Sequence, residues 1–337
     1  MVNDGGPDGG ALHLATVSGW RRFVADTPAA PQLLPAPDWA ALEEDKRAGY
    51  DDDRIDHHSR LLVVQTSAVA SVITQGRRLA QLNRGAHFGR CGLIVSGPPR
   101  TGKTTAVTQL GKTIELARRR RSPGSPGDIP VIYATVPPAA TAKMIAVEFA
   151  RFLGLPVSAK ANITTVIESV CGVALDTRVS LVIVDELHNL NTATRAGAEA
   201  SDTLKYFSER IPATFVYAGI SLERSGLLSG ARGEQVAGRF SLVRTGPFPR
   251  GQQWTALIAA LEDSLRLHRH RPGTLAGLDG YLHQRTRGMI GSLLWLVRAA
   301  AITAVADGTE KITRKNLDAI DTDLASRQPG LRAPAAR

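Results

Sequence analysis

The chain has only two cysteines in 337 residues, Cys91 and Cys171, and they lie at no metal-ligand spacing. That excludes a disulfide framework and points to a reducing compartment. Both thiols read as buried packing residues. No run of about eighteen apolar residues exists, so no segment reads as membrane-spanning. The opening stretch, Met1 to Gly10, has neither the basic nor the apolar region of a signal peptide. These absences lead to the expectation of a cytoplasmic protein with no membrane partner. No internal repeat stands out.

What is present is enough apolar content for a core, 43% of residues, and room for one large α/β domain with an appendage or for two modest domains. The formal net charge is +10, unevenly spread. Residues 1–56 carry 5 Lys and Arg against 11 Asp and Glu, giving −6, whereas residues 57–337 carry 36 against 20, giving +16. A basic body suggests a polyanion, most simply DNA or RNA; a scattered positive surface is the plainer alternative.

The most specific stretch is Gly97-Pro98-Pro99-Arg100-Thr101-Gly102-Lys103-Thr104. It matches G-x-x-x-x-G-K-[ST], the phosphate-binding loop of nucleoside triphosphatases. An apolar run from Gly92 precedes it, and a helical pattern from Thr105 to Leu116 follows. Glycines at the two ends let successive N–H groups turn inward on a phosphate chain, and the helix start adds its positive end. Lys103 is expected to reach the β- and γ-phosphates of ATP, and the Thr104 hydroxyl to ligate Mg²⁺. About 80 residues on, Leu181-Val182-Ile183-Val184-Asp185-Glu186 is an apolar strand ending in two carboxylates. Asp185 would share the Mg²⁺ with Thr104 through water, and Glu186 would orient or deprotonate the attacking water. The nucleotide-binding set thus runs from Gly97 through Thr105 and includes Asp185.

Strands are expected at 92–96, 130–136, 179–184, 213–219 and 241–246, with helices at 103–121, 139–153, 162–175, 197–210 and 222–237. This alternation predicts a parallel sheet. Beyond Pro249 the pattern becomes all-helical: 251–268, 275–285, 290–306 and 313–325. The expected division is an acidic, partly disordered arm over 1–56, a nucleotide-binding domain over 57–250, a helical lid over 251–327 and a disordered tail over 328–337. Within the arm, prolines between 28 and 37 suggest extended chain, and a helix starts near Asp38. The stretch Asp51 to His58 reads as a polar turn, with a metal cluster as the lesser alternative. Leu61 to Leu82 has helical spacing. The run Arg118 to Arg121 either grips DNA phosphates or closes a helix whose negative end welcomes cations.

Phosphate loop, Asp-Glu strand and helical lid together resemble the AAA+ ATPases. Asp185-Glu186-Leu187-His188-Asn189-Leu190 further resembles the D-E-x-H-N-L signature of the TniB/TnsC-type transposition ATPases. Arg54 to His58, Ile211 to Gly219, Gly238-Arg239-Phe240 and Gly288 to Leu293 follow the same family's order. The resemblance covers about residues 50–325. It implies a P-loop three-layer α/β sandwich with a parallel five-stranded sheet, a small C-terminal helical lid and an N-terminal arm. It implies slow ATP hydrolysis and assembly on DNA as a ring or filament of identical subunits. Engagement of a DDE transposase, often with a TniQ-type adaptor, is implied as well. Arg239 would be an arginine finger acting on a neighbour's γ-phosphate, with Arg210, Arg224 and Arg232 as rivals. Two positions depart from the family pattern. Tyr217-Ala218-Gly219-Ile220 precede Ser221, so that either Ser221 serves as the sensor after strand four or the sensor is absent. Ile290-Gly291 stand where the lid arginine is expected, with Arg287 or Arg285 as its substitute. His188 and Asn189 would link nucleotide state to a neighbour or to DNA, or merely cap the next helix. Two other functions fit the same motifs: a loader- or initiator-like AAA+ ATPase, and a nucleotide-switched signalling or defence oligomer.

Overall fold

The computed structural model describes residues 13–60, 62–123, 125, 127–224 and 238–321. Its strands are β1 (Gly92–Ser96), β2 (Val131–Thr135), β3 (Leu181–Asp185), β4 (Thr214–Gly219) and β5 (Phe240–Arg244). In chain order the described helices are α1 (Val17–Ala25), α2 (Ala36–Ala40), α3 (Glu44–Ser59), α4 (Ser67–Leu82), α5 (Lys103–Arg121), α6 (Ala142–Phe152), α7 (Ile163–Asp176), α8 (Arg195–Arg210), α9 (Gln252–Asp263), α10 (Asp279–Thr286), α11 (Ile290–Ala306) and α12 (Arg314–Asp318). The chain divides into two compact units. One comprises Met1–Thr27, Ser67–Pro98 and Lys103–Thr245; the other comprises Pro28–Thr66, Pro99–Gly102 and Gly246–Arg337.

In the first unit all strand pairs are parallel, in the order β2-β3-β4-β1-β5. The residues of β1, β3 and β4 are buried throughout, which is why these strands read as continuous apolar runs rather than alternating ones. Helices α4 and α5 pack against each other on the sheet, and α6, α7 and α8 form a second group. Side-chain caps fix where helices begin: Thr141 accepts from Met144 N, Asn162 from Thr164 N and Thr194 from Gly197 N. The resulting three-layer α/β fold is the one expected.

The separate arm is not what forms. Thr16 caps α1, and Trp20, 1% exposed, lies in the core of the first unit. Its ring stacks on Tyr133 at 5.9 Å, and its indole N–H donates to the buried Glu115 at 2.5 Å. Gly111 on α5 leaves room for that ring, since a Cβ there would come within 2.6 Å of it. Emptying such a site typically costs about 3–5 kcal/mol. A buried aromatic outweighs the local Gly and Pro content that suggested loose chain.

The rest of that segment belongs to the second unit. Its core is built from Trp254, Leu257, Ile258 and Leu261 on α9 and from Leu293, Leu296, Val297 and Ala300 on α11. The stretch expected as a polar turn, 51–58, is the heart of α3. Arg54, fully buried, forms two 2.7 Å bonds to Glu310 and a third, of 2.5 Å, to Asp51. His57 contacts the Ser264 carbonyl at 3.0 Å, and His58 accepts from Arg266 N at 3.3 Å. These residues act as polar staples. The last helix opens on a capping box of Thr313 and Asn316.

Smaller differences have local reasons. Cys91 is only half-buried, because it stands at the mouth of β1, whereas Cys171 is buried as expected. The helix at 313–325 is described only as α12. Most of the helix expected over 222–237, Arg232 and the 328–337 tail lie outside the described residues. No helix among the described residues is long and apolar enough to cross a membrane.

Candidate nucleotide site

β1 ends at Ser96 and α5 begins at Lys103, so the phosphate loop is the connection between them. Gly97 needs to be glycine: a Cβ would lie 2.2 Å from the Thr245 carbonyl oxygen. Its N–H donates to the Gly219 carbonyl at 3.3 Å, tying the loop's start to the end of β4. Arg100 and Gly102 both have positive φ, 61° and 87°. Left-handed residues among right-handed ones make a concave row of N–H groups, the geometry that cradles anions. Within the second unit the Arg100 carbonyl accepts from Gly291 N at 2.9 Å. A Cβ at Gly291 would press on Arg100 at 2.9 Å, which accounts for a glycine at the start of the lid's long helix. Thr101 is buried, Thr105 half-buried and Thr104 exposed on the first turn of α5.

Lys103 Nζ donates to the Pro98 carbonyl at 2.7 Å. Burial lowers its pKa, while the charges of Asp185 and Glu186 act in the opposite direction. The lysine and both carboxylates therefore share one electrostatic environment, beyond the C-terminal ends of β1 and β3, which flank β4 in the parallel sheet, where open α/β sheets place ligands.

Asp185 is 2% exposed and the last residue of β3. The Tyr133 hydroxyl donates to one of its oxygens at 3.1 Å and Glu186 N to the other at 2.8 Å. The two bonds fix the carboxylate plane. Glu186 follows in the left-handed region, φ 55° and ψ 31°, which turns its side chain out of the strand, and that side chain is 46% exposed. One oxygen lies 3.3 Å from His188 Nδ1, without hydrogen-bond geometry. Asn189 Nδ2 donates to the Val136 carbonyl at 2.8 Å, pinning the turn after β3 to the end of β2. Asn189 is therefore a positioning residue for the carboxylate pair.

The donor set fits ATP and a divalent cation. It offers an ammonium, a concave run of backbone N–H groups, a helix start, a hydroxyl on the first helical turn and an oriented carboxylate.

Other expected residues are not gathered there. Arg239 is exposed just before β5, where its carbonyl accepts from Gly92 N at 3.0 Å. It stands at the N-terminal end of the sheet, opposite Asp185. Arg210 is occupied with Tyr206, whose hydroxyl it meets at 2.6 and 2.9 Å. Ser221 sits in an exposed turn with φ 48°. That turn is held through Ser96, whose hydroxyl accepts from Leu222 N at 2.9 Å and contacts the Glu223 carboxylate. Arg285 is committed inside the second unit, to Tyr281, Asp318 and the Ile320 carbonyl at 3.0, 3.3 and 2.8 Å. It cannot also serve a phosphate without breaking them. Arg287 ends α10 in the left-handed region, φ 53°. Tyr133 is the contributor that motif reading missed. One signal was available: Asp185 pairs with Thr135, and Tyr133, two residues away, shares that face.

The sequence profile of the bacterial TniB proteins matches residues 54–249. Curated proteins yield no sequence match. Among solved structures, the Aeropyrum pernix ORC1 protein in complex with DNA is 19% identical, with TM-score 0.57, over 78% of this chain and 65% of that one. The ADP form of Aeropyrum pernix ORC2 is 16% identical with TM-score 0.60, over 78% and 70%. Drosophila ORC bound to DNA is 16% identical with TM-score 0.54, over 89% and 72%. The chain spans about two-thirds of the archaeal ORC1 chain, and at these identities the likeness concerns the fold. With a family profile over more than half its length, a phosphate loop, an Asp-Glu strand end and this sheet order, the chain belongs to the TniB family and is an AAA+ ATPase by fold.

Proposed function

We propose that this chain hydrolyses ATP slowly, assembles on duplex DNA as a ring or filament of identical subunits, and engages a DDE transposase, with a TniQ-type adaptor as a further partner. The observation that carries the reading is the oriented Asp185-Glu186 pair beside Lys103 in a TniB-family chain. Lys103 and the N–H groups from Arg100 to Thr105 bind the phosphates, in the loop that Gly97, Pro98 and Pro99 open. Thr104 and Asp185 would hold Mg²⁺, which supplies neutralisation of phosphate charge when bound. Glu186, turned out of the strand, orients the attacking water. Ser221 senses the γ-phosphate, and Arg287 is the lid's arginine. Arg239 completes the site of a neighbouring subunit, since its own chain keeps it at the far end of the sheet. The net charge of +16 over residues 57–337 supports a nucleic-acid partner.

The test is a pair of variants. Lys103→Ala loses nucleotide binding and nucleotide-dependent assembly. Glu186→Gln binds ATP as the wild type does, turns it over at least tenfold more slowly and stays assembled. ATP affinity unchanged by Lys103→Ala would overturn the site. Co-sedimentation of the assembled protein with transposase separates this reading from a loader- or initiator-like ATPase.

A further inference from the structure

We infer that an arginine-lined groove on the first unit binds the phosphate backbone of duplex DNA, at the end of the sheet opposite the nucleotide site; the inference rests on the proposed assembly on DNA. The groove has a volume of about 320 Å³ and is lined by Arg77, Arg84, Arg118, Arg121 and Arg178. Its floor is apolar, from Ala80, Ile114 and Ala117.

Three separate elements bring these arginines together. Helices α4 and α5 approach closely because Gly76 has no Cβ; one there would fall 2.3 Å from a Leu110 methyl. Arg77 on α4 and Arg84 just beyond it thereby face the same groove as the last turn of α5. Arg178 joins from the turn before β3, in the left-handed region with φ 57°. A helix end that simply favours cations explains arginines on α5 alone. It does not explain three more arriving from elsewhere.

Nor does the cluster in space coincide with the cluster in sequence. Arg119 pairs with Glu115 at 2.6 Å, and neither Arg119 nor Arg120 lines the groove. Among the described residues, only Asp128 offsets the lining, meeting Arg118 at 3.0 Å and Arg178 at 2.8 Å. Among the described residues, Arg77, Arg84 and Arg121 have no carboxylate partner. One carboxylate thus sets the position of two guanidiniums while three remain available, and the six side chains carry +4.

Holding like charges in one concavity is unfavourable unless an anion joins them. The lining supplies arginine and no lysine, and the planar fork of arginine matches phosphate oxygens two at a time. An acidic peptide would call for apolar pockets between its charges, and the groove has only a flat floor of small side chains and one isoleucine. Base reading is not expected, since Gln81 is the only amide in the lining.

The test uses the full chain with a saturating non-hydrolysable ATP analogue and a labelled duplex, followed by anisotropy over a salt series. Arg77→Ser, Arg84→Ser and Arg121→Ser are combined, leaving both Asp128 pairs intact. We expect at least a tenfold loss of affinity at low salt. The log–log salt slope should flatten by about 0.9 for each phosphate contact removed. Should the triple variant melt below wild type, Arg121→Ser alone carries the test, with a slope change of about 0.9. Wild-type affinity and slope in the variant would overturn the groove and leave the functional reading standing. A wild-type protein that binds no duplex would overturn both. Loss of polyglutamate binding with duplex binding unchanged would assign the groove to acidic polypeptides and overturn the proposal.

Discussion

At the scale of single residues, the proposed chemistry depends on how one carboxylate is held. Asp185 has an oxygen bound to the Tyr133 hydroxyl, so Tyr133→Phe removes a donor from a buried charge without changing the ring's packing. Outer-shell changes of this sort typically weaken metal binding roughly 10–100-fold. We expect that loss in Mg²⁺-dependent nucleotide affinity, with little change in nucleotide affinity measured without Mg²⁺. Equal losses in both titrations would mean that the tyrosine serves the fold rather than the carboxylate. Lys103, Thr104, Asp185 and Glu186 could be named as candidates from the sequence because their spacing along the chain is itself the motif. Tyr133 was not, because its role depends on which strand lies beside β3, and only the sheet order supplies that.

At the scale of elements, the strands could be read to within a residue or two, and β1, β3 and β4 most directly, since a strand buried on both faces leaves a continuous apolar run. Helices α1 and α3 could not. Each is held by a partner far away in sequence: Trp20 by Glu115, and Arg54 by Glu310. Helix α3 also makes a pH-dependent contribution to stability. Burial, the neighbouring His57 and the charges of Arg54 and Arg266 lower the His58 pKa to about 4. The folded protein therefore keeps His58 neutral, while the unfolded chain takes up a proton below about pH 6.5. Stability from this residue is fully present above pH 6.5 and is lost as the pH falls towards 4, by up to about 3 kcal/mol. Urea midpoints between pH 7 and 4.5 measure it. His58→Gln, which keeps an acceptor for the Arg266 N–H, should flatten that profile. An unflattened profile would assign the acid sensitivity to other groups.

For the molecule as a whole, Arg239 stands at the end of the sheet opposite the carboxylates of its own chain, so the finger proposed for it would act on a second copy. An arginine finger in related phosphate chemistry is worth about 10³–10⁵ in rate; a slow ATPase should show less. Arg239→Ala retains an ATP pocket and donates no finger, whereas Lys103→Ala donates a finger and lacks a pocket. Each alone should be inactive, and mixing them should restore part of the activity. A mixture that co-assembles yet stays inactive would remove Arg239 from that role.

The divided second unit has a consequence for how the protein is made. Arg54 and Glu310 are 256 positions apart in the chain. At typical ribosomal rates, α3 must wait on the order of 10–50 s for its partner to be synthesised. Over that interval the first unit can close around its own sheet while α3 hangs from it in water. Rich in Asp, Arg and His and poor in apolar side chains, α3 gives a half-made chain little to aggregate with. The polarity that disguises it in the sequence leaves α3 little apolar surface to expose until its partner arrives.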